Sequence, residues 1–353
     1  MQITKAEVIP AELKLRQPVR MAHLPPIDRV TAVFVRLELS NGQSAWGCTV
    51  AQEHLTGSSS EAVVHACREC AAKVPDLHPT NLEYSLEELA PLTKEAPCAL
   101  CAFDLAFHDL LGLAAGLPLY RLLGGFRNRI QTSATIPLAS VEESVVLAMR
   151  RARLGFRMLK VKGGLDPEED VRRVQAIQRA LPNHILRLDA DGGYTVQAAI
   201  DVARALEGVI EMLEQPTTPD DLAGLRQVKQ HSPVPVLADQ SAAGPASVLE
   251  LATQHAVDGV SVKVACGGLR CAGQVDAIAR AAHLATMVGC LIEPALLIAA
   301  GLSFALSSPN VRYADLDGFL DLVDDPSTGG FQLKDGWLIA SEASGLGCSV
   351  QLD

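Results

Sequence analysis

The segment MLKVKGG, residues 158–164, ends an apolar run with two lysines one residue apart. On an extended strand successive side chains alternate faces, so Lys160 and Lys162 project to the same side, about 7 Å apart. An ammonium at the end of a buried strand is costly unless it is paired or used. Two side by side disfavour the second positive charge, which lowers an ammonium pKa toward the working pH and makes a neutral amine available as a base. A third lysine, Lys263, ends the run GVSVKVACGG, and carboxylates end the others: Asp189 in ILRLDADGG, Glu214 in IEMLEQP, Asp239 in VPVLADQS, Glu293 in GCLIEP, and Asp315 and Asp317 in VRYADLDG. Taken alone, each of these acids reads as an ordinary solvated loop residue. Asp189, Glu214 and Asp239, however, close three successive runs in phase. Three carboxylates so placed reach a single hard cation, and an oxygen-only set favours Mg²⁺ over the softer metals that select His or Cys.

Something must bring these residues together, and the spacing of the runs says what. From about residue 130, short apolar runs recur at intervals of roughly 25 residues, the length of one strand-helix unit. Between them lie helical patterns such as DPEEDVRRVQAIQRAL, with Asp166 as N-cap, Pro167 at the first helical position and Glu169 completing a capping box. Eight strands alternating with helices predict an α/β chain folded as a (β/α)-barrel over residues 126–330, with the strand ends forming the site face. Strands two and six then lie across the axis, so Lys162 and Lys263 face opposite sides of one ligand. Residues 1–125 read as a smaller α+β unit. Its two β-branched segments are followed by an Asn41-Gly42 pair that favours a tight hairpin turn, Ser58 with Glu61 opens a helix, and a long apolar helix runs from about Pro97 to Leu113. Residues 331–353 resume a hairpin pattern that returns to the N-terminal unit.

The 353 residues carry a formal net charge of −11 and 48% hydrophobic content, enough for a full core. The acidic balance excludes nucleic acid and anionic membrane as partners, since those rest on Lys/Arg neutralising phosphate, and leaves a small molecule. No basic-then-apolar leader opens the sequence, and its longest apolar stretch is broken by Glu293 and Pro294, which predicts a soluble cytoplasmic protein. The nine cysteines include two Cys-x-x-Cys pairs, Cys67 with Cys70 and Cys98 with Cys101. A zinc or redox site is one reading of them; small buried helix residues in a reducing compartment is the better one.

The series KVK, DAD, EQP, ADQS and SVKVACGG resembles the enolase superfamily, in particular its muconate-lactonizing subgroup, along essentially the whole chain. The DLDG of the eighth run resembles the dipeptide epimerases within it. The resemblance implies a (β/α)7β TIM-like barrel with an N-terminal α+β capping domain, and a homo-oligomer. It implies one Mg²⁺ per subunit on Asp189, Glu214 and Asp239, binding the carboxylate of a dipeptide that Lys160 also contacts. Lys162 and Lys263 would exchange the α-proton of the C-terminal residue on opposite faces, through an enediolate, converting L,L- to L,D-dipeptides. Asp315 and Asp317 would hold the substrate's α-ammonium, and Thr135, Glu293 and Leu24 would also line the substrate.

The sequence departs from that pattern in places. Asp191 stands where the subgroup usually has Asn, Gln240 where Glu commonly follows the third ligand, and Pro294 where Ser is common after Glu293. In the capping loop QPVRMAHLPPID, epimerases of Ala-Glu-type dipeptides carry an arginine about where Leu24 stands; Arg20 or His23 are the nearby groups able to replace it. The same lysines and acids serve o-succinylbenzoate synthases, N-acylamino acid racemases and cycloisomerases, whose substrates have no free ammonium. Asp315 and Asp317 discriminate among these. A binding protein without catalysis is a further alternative, but binding alone needs neither base.

Overall fold

A computed structural model of the chain describes residues 2–352. Its N-terminal part is an antiparallel sheet in the order β1 (Ile3–Val19), β2 (Ile27–Leu39), β3 (Ser44–Ala51), with the expected turn at Gly42, where φ is 82°. β2 is nearly continuous in apolar residues because both of its faces are covered. Val33, Val35, Leu37 and Leu39 face a core built with the N-terminal helices, whereas Val30, Ala32 and Phe34 belong to the core shared with the barrel. That alternation is the period of two expected of a strand.

The helix Ser60–Lys73 starts one residue later than the capping-box pattern predicted: Ser59, not Ser58, is its N-cap and accepts from Ala62 N at 3.2 Å. Ser58 instead donates to Glu95 O. The apolar helix spans Ala99–Ala115 and stops at Gly116, in the left-handed conformation that Gly tolerates. It lies so close to β3 that a Cβ on Gly47 would fall 1.8 Å from Ala102 O. Gly47→Ala should therefore destabilise the protein by about 3 kcal/mol through overpacking. A thermal melt reads this directly, and an unchanged midpoint would contradict the packing. All nine cysteines are free thiols; Cys67, Cys70, Cys98 and Cys101 are buried, which bears out the packing reading of the two pairs.

After β4 (Arg129–Gln131) come eight parallel strands in sequence order: β5 (Ser133–Ile136), β6 (Met158–Lys162), β7 (Ile185–Asp189), β8 (Ile210–Glu214), β9 (Val236–Ala238), β10 (Gly259–Lys263), β11 (Ala285–Gly289) and β12 (Val311–Ala314). Helices connect them. Asp166 caps the helix Pro167–Ala180 by accepting from Glu168 N and Glu169 N, while Glu169 turns to Arg172 instead of closing the box. Among the described residues no backbone ladder joins β12 to β5; side chains bridge that seam. Ser133 Oγ donates to Asp315 Oδ1 at 2.6 Å, Thr135 N to Asp317 Oδ2 at 2.6 Å, and Leu316 N to Thr132 Oγ1 at 2.8 Å.

The C-terminal segment divides its contacts. β13 (Ser327–Gly329) pairs with β16 (Cys348–Val350), and the hairpin of β14 (Phe331–Lys334) and β15 (Trp337–Ala340) adds to β4. Leu346 N then donates to Asp109 on the helix Ala99–Ala115 at 2.7 Å. Among the described residues no helix is long and apolar enough to cross a membrane.

Candidate active site

Parallel pairing fixes the layer in which the chemistry sits. In the β6–β7–β8 register Lys162 lies beside Asp189, and Asp189 beside Glu214, so three charged strand ends are level. Asp239 follows β9 directly and Lys263 ends β10. Above this layer opens a cavity of about 420 Å³ lined by Lys160, Lys162, Lys263, Asp239, Asp315 and Asp317, and by Thr135. Asp189 and Glu214 lie beneath, fully buried.

Six carboxyl groups face three ammonium groups here. Lys160 pairs with Asp315 and lies 3.2 Å from Asp189 Oδ2 and 3.7 Å from Glu214 Oε2. Lys162 Nζ is 2.8 Å from Asp189 Oδ2 and 2.9 Å from Asp191, and Lys263 pairs with Asp239. The excess of acid reverses the expected effect of the lysine pair. Burial disfavours both ammonium groups and Lys160 lowers that of Lys162, but Asp189 and Asp191 more than offset this and hold Lys162 above the usual lysine range. Asp315, Glu214 and Asp189 do the same for Lys160, and Asp239 with Glu214 for Lys263. Asp189 is held below the carboxylate range by Lys162 and Lys160 despite its burial. Glu214 is left short of cations. Burial and the negative Asp189 push it up to about 8, and its Oε2 accepts no hydrogen bond.

The donor set of Asp189, Glu214 and Asp239 is all oxygen, and the bare Glu214 oxygen is a buried acceptor with nothing to accept; both suit a hard divalent cation. Among the described residues no three acidic, His or Cys side chains stand gathered as a finished cage, because lysine ammonium groups sit among these carboxylates.

Two expected positions fall elsewhere. β11 ends at Gly289, so Glu293 lies in the following loop rather than at a strand end; its buried carboxyl accepts from Leu291 N at 3.0 Å and burial pushes it up to about 8. The cavity wall there is Cys290, Leu291 and Ile292. Leu24 sits in the turn between β1 and β2 and does not line the cavity, and neither do Arg20 or His23. Leu15 and Val19 of β1 do, and so does Met21 just beyond it. Thr135 lines the cavity and donates from N and Oγ1 to Asp317.

Sequence reasoning missed a layer behind Lys162. Arg173, fully buried, donates to Lys162 O and to Asp170 Oδ1, while Asp170 Oδ2 accepts from Tyr194 OH at 2.6 Å and Gly164 N at 2.8 Å. The signal was an arginine on the apolar face of the helix Pro167–Ala180, three residues after an aspartate. Also missed was Ser261, two residues before Lys263 and thus on the same inward face, whose buried hydroxyl has no partner.

Residues 3–124 match the model of the mandelate racemase / muconate lactonizing enzyme N-terminal domain, and residues 143–353 that of the enolase C-terminal domain-like family. The chain is 32% identical to a hydrophobic dipeptide epimerase of Enterococcus faecalis over 99% of its own length and 100% of that protein's. It is 34% identical to an L-Lys-D/L-Arg epimerase of Methylococcus capsulatus over 98% of its own length and 99% of that protein's. The dipeptide epimerase from Enterococcus faecalis, complexed with Mg and L-Leu-L-Tyr, superposes with a TM-score of 0.95 at 32% identity, over 99% of this chain and 100% of that one. A substrate-liganded L-Ala-D/L-Glu epimerase from Bacillus subtilis gives 0.96 at 30% identity, over 100% of both chains. Matched by both models and by epimerases along its whole length, and folded as they are, the chain belongs to the mandelate racemase and muconate lactonizing enzyme family of the enolase superfamily and is an isomerase of the racemase and epimerase kind.

Proposed function

We propose that the protein epimerises the C-terminal residue of L,L-dipeptides to give L,D-dipeptides, by 1,1-proton transfer between Lys162 and Lys263. The observation that carries this reading is the placement of the two amines. They end the second and sixth of eight strands and line one cavity, which supports an α-carbon held between them with one amine on each face.

The α-proton of a carboxylate is too weakly acidic for an unaided amine, and Asp189, Glu214 and Asp239 are the residues that would hold a divalent cation, Mg²⁺ by the family resemblance. When bound, such an ion supplies Lewis-acid stabilisation of the charge that develops on the substrate carboxylate as the proton leaves. With Asp189 and Asp239 serving as ligands, Lys263 would lose its paired carboxylate and Lys162 one of its two, Asp191 staying beside it; burial then works to lower both ammonium groups. One amine removes the α-proton and the opposite ammonium returns a proton to the other face, inverting the centre. Lys160, 3.2 Å from Asp189 Oδ2, contacts the carboxylate. Asp315 and Asp317 accept from the α-ammonium of the N-terminal residue, with Thr135 fixing Asp317.

The rest of the cavity supports neutral or apolar side chains. Its walls include Leu15, Val19, Met21, Leu55 and Ile292, and among the described residues its lining contains no arginine. A buried glutamate side chain there has no cation of its own, so L-Ala-L-Glu is expected to be a poor substrate.

Incubating a library of L,L-dipeptides in deuterium oxide with Mg²⁺ and following mass tests the reading. Deuterium should enter the α-position of the C-terminal residue, stop with EDTA and resume with Mg²⁺ or Mn²⁺. Full activity of metal-free protein would remove the basis of the mechanism.

A further inference from the structure

Asp191 and Gln240, two of the positions at which the chain departs from the residue types its resemblance supplies, touch each other. Gln240 Nε2 donates to Asp191 Oδ1 at 3.3 Å. Both Asp191 oxygens accept from Lys162 Nζ at 2.9 Å, and Asp191 N donates to Asp189 Oδ1 at 3.1 Å. Its backbone takes φ 45°, the left-handed region where Asp and Asn are the tolerated side chains. Asp191 is thereby fixed by its own strand end, by Gln240 and by Lys162 at once. Among the described residues the two amines are held unequally: Lys162 pairs with two carboxylates, Asp189 and Asp191, and Lys263 with Asp239 alone.

We propose that Asp191 and Gln240 form one positioning unit for Lys162, a carboxylate and a carboxamide joined by a single hydrogen bond. The inference rests on the two-lysine reading above. One change without the other breaks the pair. Asp191→Asn leaves two carboxamides and takes a charged partner from Lys162, whereas Gln240→Glu sets two carboxylates at hydrogen-bond distance. Only the double change restores one of each.

The test measures deuterium wash-in separately from each epimer of one dipeptide, with the face served by Lys162 assigned from Lys162→Ala. The same variants are crystallised without metal to locate Lys162 Nζ. Asp191→Asn is expected to slow exchange on the Lys162 face on the order of 10–100-fold and to leave the Lys263 face within about threefold. Asp191→Asn/Gln240→Glu should recover about tenfold or more of that loss, a strongly non-additive result. Lys162 Nζ should leave its place in Asp191→Asn. Equal losses on both faces, or additive effects in the double variant, would overturn the unit. Should the unaltered protein exchange no dipeptide α-proton, the two-lysine reading falls; Lys162 Nζ unmoved in Asp191→Asn would then overturn the unit, and its displacement would uphold it.

Discussion

Alanine at Lys162 or at Lys263 is expected to abolish epimerisation, with turnover lower on the order of 10²–10⁴-fold, the usual worth of a positioned proton-transfer group. The two variants should differ in what they keep. Each retains one amine, and that amine still reaches its own face, so α-proton exchange from a single enantiomer survives while inversion does not. Truncation also strips a buried acid of its cation, which costs about 3–5 kcal/mol: Asp189 and Asp191 lose Lys162, and Asp239 loses Lys263. Circular dichroism and a thermal melt therefore accompany the kinetics, so that lost chemistry is read on folded protein. Equal and substantial turnover in either variant would show that the wrong groups have been assigned.

Asp315→Asn/Asp317→Asn is expected to cut the use of free dipeptides by a factor on the order of 10–100, the equivalent of about 1.5–3 kcal/mol for charge-assisted hydrogen bonds to an ammonium. N-acetylation of the dipeptide should give a loss of similar size from the substrate side, and the two losses should not add, since each removes the same contact. There is a pH signature as well. Burial and the neighbouring Asp315 push Asp317 up to about 6, so it is ionised above that pH and neutral below it. KM for free dipeptides should accordingly rise as pH falls through about 6. If N-acylamino acids turn over faster than any free dipeptide, and the double variant leaves them untouched, the protein is an N-acylamino acid racemase instead.

The barrel was legible because parallel strands covered on both faces read as apolar runs, and a charged residue after each run marks its C-terminal end. The rule failed at GCLIEP. The buried run there belongs partly to the loop after β11, and the strand proper, ATMVG, is as long as its neighbours but too mixed in Ala, Thr and Gly to stand out. That Leu15 and Val19 rather than Leu24 line the cavity depends on how the sheet packs on the barrel, which no local pattern encodes. The lysine pair was located correctly and its electrostatics inverted, because sequence shows that Lys160 neighbours Lys162 but not that Asp189, Asp191, Glu214 and Asp315 surround them. The layer of Arg173, Asp170 and Tyr194 joins residues from two strand-helix units through contacts that become neighbours only once the sheet has formed.

The helix Ala99–Ala115 contributes Cys101 and Leu105 to the core shared with the barrel, and Ala102, Phe103, Ala106 and Phe107 to the N-terminal core. One rod is thus common property of both halves, and Gly47 lets the sheet press against it without a gap. The halves are consequently poor modules for recombination. A chimera taking residues before the rod from one relative and the barrel from another must match two interfaces along the same 17 residues, so new specificities on this scaffold are more readily reached by point changes in β1 and the loop beyond it than by exchange of whole halves.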